Sequence, residues 1–184
     1  MKELVVKGSL MDASQSRGVT MAEAIMEAEA IVLIDMSGSM GAQDMGGKAR
    51  YEVAQEQLAR LQGRMPGAVG VISFSTSPVF VPDGIPVFSA GSTNLARALE
   101  FAKVADVEGM RFIVISDGFP DSESLALDVA RRYTNKIDTV FIGPADDTIG
   151  QDFLRQLAAA GGGKSVSDIR LVELARALQL LLEA

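Results

Sequence analysis

The sequence predicts a doubly wound α/β fold, and three observations carry that prediction. Apolar, β-branched runs recur at 31–34, 69–72, 112–115 and 137–142. Their hydrophobicity is continuous rather than alternating, the pattern of strands covered on both faces, as in parallel sheets. Helical patterns fill the intervals at about 48–62, 93–104, 122–133, 148–160 and 170–183, and strand alternating with helix is the signature of α/β architecture.

Taken in order, residues 4–6 read as a short strand, 12–18 as a polar loop, and 20–29 as a helix with Thr20 as N-cap and Glu23 three residues on, a capping-box spacing. Residues 1–29 are therefore expected to form an N-terminal extension, and 30–184 the main domain. Segment 77–89 carries Pro78, Pro82 and Pro86 around Val79-Phe80-Val81. Proline cannot donate to a sheet ladder, so this stretch suits an edge strand, placed antiparallel. In the last helix Leu171, Leu174, Ala175, Leu178, Leu181 and Leu182 share one face, with Glu173, Arg176 and Glu183 left for water. It is expected to pack on the sheet; a membrane- or partner-binding amphipathic helix is the alternative. No repeat, low-complexity tract or dividing linker interrupts the chain.

Composition narrows the chemistry. The 184 residues carry 17 Lys plus Arg against 24 Asp plus Glu, a formal charge of −7, and no His, Cys or Trp. The length suits one domain. Without His there is no Ser-His-Asp catalysis, no His-ligated zinc and no 2-His-1-carboxylate iron centre. Without Cys there are no thiol nucleophiles, iron–sulfur clusters, thiolate zinc sites or disulfides. Metal chemistry must use oxygen donors, and hence hard cations. Nucleic acid is not expected as a partner, because no basic run is present to neutralise phosphates. No apolar stretch approaches the roughly 18 residues of a membrane span, and no signal-peptide core is visible. A cytoplasmic protein made without export is the expectation.

The first apolar strand runs into Asp35-Met36-Ser37-Gly38-Ser39-Met40, and the run at 112–115 into Ser116-Asp117-Gly118. Ligands of open α/β sheets sit at the carboxyl ends of strands where the strand order reverses. If the two strands are neighbours there, Asp35 and Asp117 converge. Two close carboxylates repel and raise one pKa, a penalty that a divalent cation removes. Ser37 and Ser39 can turn both hydroxyls to one point, and Gly91-Ser92-Thr93-Asn94 offers a third hydroxyl.

Asp35-x-Ser37-x-Ser39, a distant Thr93, and Asp117-Gly118 after a later strand, in this order, resemble the metal-ion-dependent adhesion site of von Willebrand factor A domains. The resemblance covers about residues 30–182. It implies a Rossmann-like, mostly parallel six-stranded sheet with one antiparallel edge strand and helices on both faces. It also implies that Ser37, Ser39 and Thr93 coordinate one divalent cation, with Asp35 and Asp117 holding it directly or through water. Mg²⁺ matches such a site best, because it favours octahedral oxygen geometry and keeps exchangeable waters; Mn²⁺ is similar and Ca²⁺ a poorer match. Two carboxylates neutralise the ion and leave an open position for a partner's carboxylate. The implied function is a protein-binding adaptor rather than an enzyme, with an AAA+ ATPase or its target as the suggested partner.

Plainer readings exist for each residue. Asp and Ser are ordinary turn and cap residues, Thr93 is a plausible N-cap, and Asp-Gly is a common turn, which together would make a metal-free interaction module. The stretch 41–49 approximates a phosphate loop, but Gly41 and Gly47 are six apart and Ala49 replaces the hydroxyl. Ser39 resembles a nucleophile elbow without a histidine base. An aspartyl phosphatase built on Asp35 would lack its acid, since position 37 is Ser; Asp121 is its potential substitute, and otherwise a cap for the helix near Ser122. Met36, Met40 and Met45 read as core filler or as an adaptable rim around the ion.

Overall fold

The computed structural model describes residues 5–167. The four apolar runs become strands whose residues are buried on both faces, apart from Arg111, and two further strands complete the sheet. The six are β1 (Ala30–Asp35), β2 (Val69–Phe74), β3 (Pro78–Phe80), β4 (Arg111–Ser116), β5 (Ile137–Phe141) and β6 (Gly162–Val166). Their order is β3-β2-β1-β4-β5-β6. All neighbours are parallel except β3, which pairs antiparallel with β2 through Ile72 and Phe80. Pro78 stands at the first position of this three-residue edge strand, where its missing N–H costs no central ladder bond.

Among the described residues six α-helices accompany the sheet: α1 (Leu10–Arg17), α2 (Met21–Met26), α3 (Arg50–Arg64), α4 (Leu95–Ala102), α5 (Glu123–Ala130) and α6 (Thr148–Ala160). Strand alternation sends side chains to two cores. Ile31 and Leu33 of β1 join Phe112 and Val114 of β4 against Leu99, Val129 and Leu154 of α4, α5 and α6. Val32 and Ile34 join Ile113 and Ile115 against Ala54, Leu58 and Leu61 of α3. A sheet clothed on both faces is what continuous apolar strands require. Among the described residues no helix is long and apolar enough to cross a membrane.

Two expectations are corrected, and a third is only partly met. Residues 12–18 are not a loop but most of α1, capped by Ser9, whose hydroxyl accepts the Asp12 N–H, and closed by Gly18 in the left-handed region at φ 66°. Val5 and Val6 lie in no strand, although the Val6 N–H donates to the Asp83 carbonyl at 3.0 Å. The sixth strand is instead β6, a Gly-Gly-Lys-Ser-Val segment without an apolar run. The capping box is present: the Glu23 N–H donates to the Thr20 hydroxyl and the Thr20 N–H to the Glu23 carboxylate, but α2 ends at Met26. Leu10, Ala24 and Ala28 form a small core of their own, with Phe80 packed against it. The amphipathic helix expected at 170–183 lies outside the described residues.

Candidate metal centre

Strand order reverses between β1 and β4. The chain leaves β1 through α3 to β2 on one side and returns through α4 to β4 on the other. The adjacent carboxyl ends of β1 and β4 thus frame the crevice that open α/β sheets use for ligands. Asp35 is the last residue of β1, and Asp117 follows the last residue of β4. Both are fully buried.

The Asp35 carboxylate is held from two directions. One oxygen accepts the Ser37 backbone N–H at 2.9 Å, and the other accepts the Ser116 hydroxyl at 2.7 Å. Burial and the nearby negative charge of Asp117 nonetheless push its pKa up to about 6, against the pull of those hydrogen bonds. After Asp35 a short 3-10 turn at Gly38–Gly41 folds the loop back, bringing the Ser37 and Ser39 hydroxyls to 3.4 Å from each other. Ser37 is buried while Ser39 faces solvent.

Asp117 is asymmetric. Its Oδ2 accepts Arg50 Nη1 at 3.0 Å, whereas its Oδ1 is buried with no hydrogen-bond partner. An ionised oxygen hidden from water without a donor is costly, and such orphans call for an explanation such as an ion. Gly118, at φ 82°, follows at once; a Cβ there would lie 2.2 Å from the Gly150 carbonyl oxygen, so only glycine fits.

Thr93 belongs to a third loop that is bonded to both of the others. The Gly38 N–H donates to the Gly91 carbonyl at 2.9 Å. Thr93 donates its N–H to the Asp121 carboxylate at 2.8 Å, and the Asp121 N–H returns to the Thr93 carbonyl at 2.9 Å. Thr93 is therefore not the N-cap of α4; Asn94 is, through its side chain to the Arg97 N–H. Asp121 likewise does not cap α5, because Ser122 does.

The donors present fit a hard divalent cation. Two buried carboxylates, one with an oxygen to spare, and the hydroxyl-bearing Ser37, Ser39 and Thr93 are oxygen donors of the type that such a cation takes. Among the described residues no three acidic side chains cluster as a ligand set. Met36 and Met40 are wholly buried in the α3-side core and form no rim; Met45 is half-buried against it. Residues 41–49 cradle no phosphate-loop helix either, since Glu52 accepts the Ala49 N–H as α3 begins. Ser116 and Arg50 are the side chains that sequence reasoning left without a role. Ser116 carried a signal, its place beside Asp117 at a strand end. Arg50 meets Asp117 from 67 positions away, and no local pattern announces that.

No family model and no curated protein matches the sequence. Solved structures do match. The crystal structure of an aerotolerance-related membrane protein from Bacteroides fragilis superposes with TM-score 0.69 at 19% identity, over 85% of this chain and 98% of that one. The SpRpn10 VWA domain gives TM-score 0.61 at 17% identity, over 82% and 94%. The chain has the von Willebrand factor A fold. A third VWA-fold match is manganese-loaded Plasmodium vivax TRAP protein, at TM-score 0.61 and 18% identity, covering 85% of this chain and 74% of that one. The Rossmann-like sheet with its single antiparallel edge, expected of a VWA domain, is the sheet described above.

Proposed function

We propose that this VWA domain binds one divalent cation, Mg²⁺ or Mn²⁺, and uses it to grip a carboxylate on a protein partner. The observation that carries the reading is the buried, unpartnered Oδ1 of Asp117 beside Asp35 at the switch point of the sheet. Manganese in the TRAP structure, which shares the fold, supports the choice of metal.

Asp35, Ser37, Ser39, Thr93 and Asp117 would hold the cation, which when bound offers an electrophilic position to an anionic oxygen. The chain's own part is preparation. Ser37 N–H and Ser116 O–H orient Asp35. Asp121 and Gly91 hold the Thr93 loop against the other two. Asp35 and Asp117 repel each other without a cation and cease to do so with one, so affinity is tied to both charges. We do not assign catalysis, since among the described residues no positioned base accompanies the set. The resemblance to VWA adaptors extends the proposal to a cytoplasmic setting beside an AAA+ ATPase or its target.

Calorimetric titration of Mg²⁺ and Mn²⁺ into chelator-treated protein tests this. Saturable one-site binding is expected, lost in Asp35→Ala and in the Ser37→Ala/Ser39→Ala double variant while both still unfold cooperatively. Binding that survives both changes, or no binding by the unaltered protein, sinks the proposal.

A further inference from the structure

Arg50 is the first residue of α3, yet its side chain is buried and turned into the centre. Its guanidinium has two partners. Nη1 donates to Asp117 Oδ2 at 3.0 Å, while Nε donates to Asp44 Oδ1 at 2.9 Å and Nη2 pairs with Asp44 Oδ2. The Asp44 grip is the two-pronged arrangement that fixes a planar guanidinium, and it holds the Asp44 carboxyl below its ordinary range. The Arg50 N–H, donating to the Ala42 carbonyl at 3.1 Å, anchors the same loop to the helix start. Arg50 is thus clamped from behind and reaches only one oxygen of Asp117.

This arrangement limits what either carboxylate can offer. Asp117 Oδ2 is engaged by Arg50, so only Oδ1 is free. Both oxygens of Asp35 already accept hydrogen bonds. Ca²⁺ takes six to eight oxygens and readily uses bidentate carboxylates; Mg²⁺ and Mn²⁺ accept six ligands at shorter, octahedral distances, where single-oxygen carboxylates suffice.

We infer that Arg50 is a positioning residue that restricts Asp117 to one donor oxygen and thereby sets the centre's preference for small octahedral cations over Ca²⁺. The inference rests on the proposed cation site and deepens it. Removing Arg50 also removes a positive charge, which strengthens binding of every divalent cation alike. The ratio of two affinities cancels that term and leaves the geometric one.

The test measures Mn²⁺ and Ca²⁺ affinities of the full chain by calorimetry, for the unaltered protein, Arg50→Met, Arg50→Lys and Asp44→Asn, each checked for cooperative thermal unfolding. The unaltered protein is expected to prefer Mn²⁺. Arg50→Met shifts the ratio of affinities toward Ca²⁺ by about tenfold, as Asp117 gains a second free oxygen. Arg50→Lys keeps a donor on Oδ2 and retains most of the original ratio. Asp44→Asn loosens the clamp without touching Asp117 and moves the ratio the same way by about threefold, so it carries the test if Arg50→Met does not fold. Cation binding with a ratio that stays constant across the folded variants overturns the role of Arg50 and leaves the site standing. Absence of binding by the unaltered protein overturns both.

Discussion

Two groups of buried carboxylates sit at opposite ends of the same strands, and they are treated in opposite ways. At the amino ends of β4 and β5, Asp106 accepts the backbone N–H groups of Thr134 and Asn135, the Asn135 amide and the Lys103 ammonium. Burial raises its pKa, but these four donors outweigh burial and bring it down to about 2. Nearby Asp138 accepts Arg111 and the Lys164 N–H. At the carboxyl ends, Asp35 is pushed up to about 6 and Asp117 keeps an oxygen with no partner. Folding completes the hydrogen bonding of one end and leaves the other short. A carboxylate saturated with donors is an anchor; one left short beside hydroxyl-bearing loops is poised for something outside the chain.

Removing the anchor gives the largest expected effect. Asp106→Ala strands two backbone N–H groups and a side-chain amide, and should lower the unfolding free energy by about 3 kcal/mol in urea denaturation, with cation binding unchanged. A loss below about 1 kcal/mol would erase the contrast between the two ends. The stabilisation from Asp106 is present above its unfolded pKa and disappears as pH falls toward 2.

The other end should respond to pH with the opposite sign. Asp35 has a raised folded pKa, so in chelator its ionisation costs stability at neutral pH, and that cost is relieved as pH falls from above 6 toward 3.8. Asp35→Asn, measured the same way, should remove about 2 kcal/mol of this pH dependence. Equal slopes for the variant and the unaltered protein would contradict it. The smallest expected effect is that of Ser116→Ala, which takes one donor from Asp35, costs about 1 kcal/mol, and shifts the Asp35 titration still higher by NMR.

How much of this was legible in the sequence follows from how local each interaction is. The strands β1, β2, β4 and β5 are buried on both faces, so their apolar runs identified them. The edge strand β6 is largely half-buried or exposed and needs no apolar run; its pairing with β5 is even irregular in register. Helix α1 turns only Leu10, Ala13 and Ser14 inward, and this narrow stripe among polar residues reads as a loop. In the site, Asp35 and Ser37 lie two residues apart and their hydrogen bond follows from that spacing. The pairing of Thr93 with Asp121 and of Arg50 with Asp117 depends on which loops meet, which only the assembled sheet decides. Charge and residue type announce that Arg50 needs a partner, not which acid it finds.

The meeting of Gly118 and Gly150 has a consequence for how this surface can change. A Cβ at 118 would lie 2.2 Å from the Gly150 carbonyl oxygen, and one at 150 would lie 2.1 Å from the Asp117 carbonyl oxygen. Each glycine faces main chain, which no rotamer change can move aside. Substitution at either position must therefore displace the loop carrying Asp117 or the start of α6. The loop and the helix start are interlocked like adjacent teeth: exposed neighbours such as Phe119 and Ile149 are free to vary and retune what the surface meets, while the seam beneath them admits only glycine.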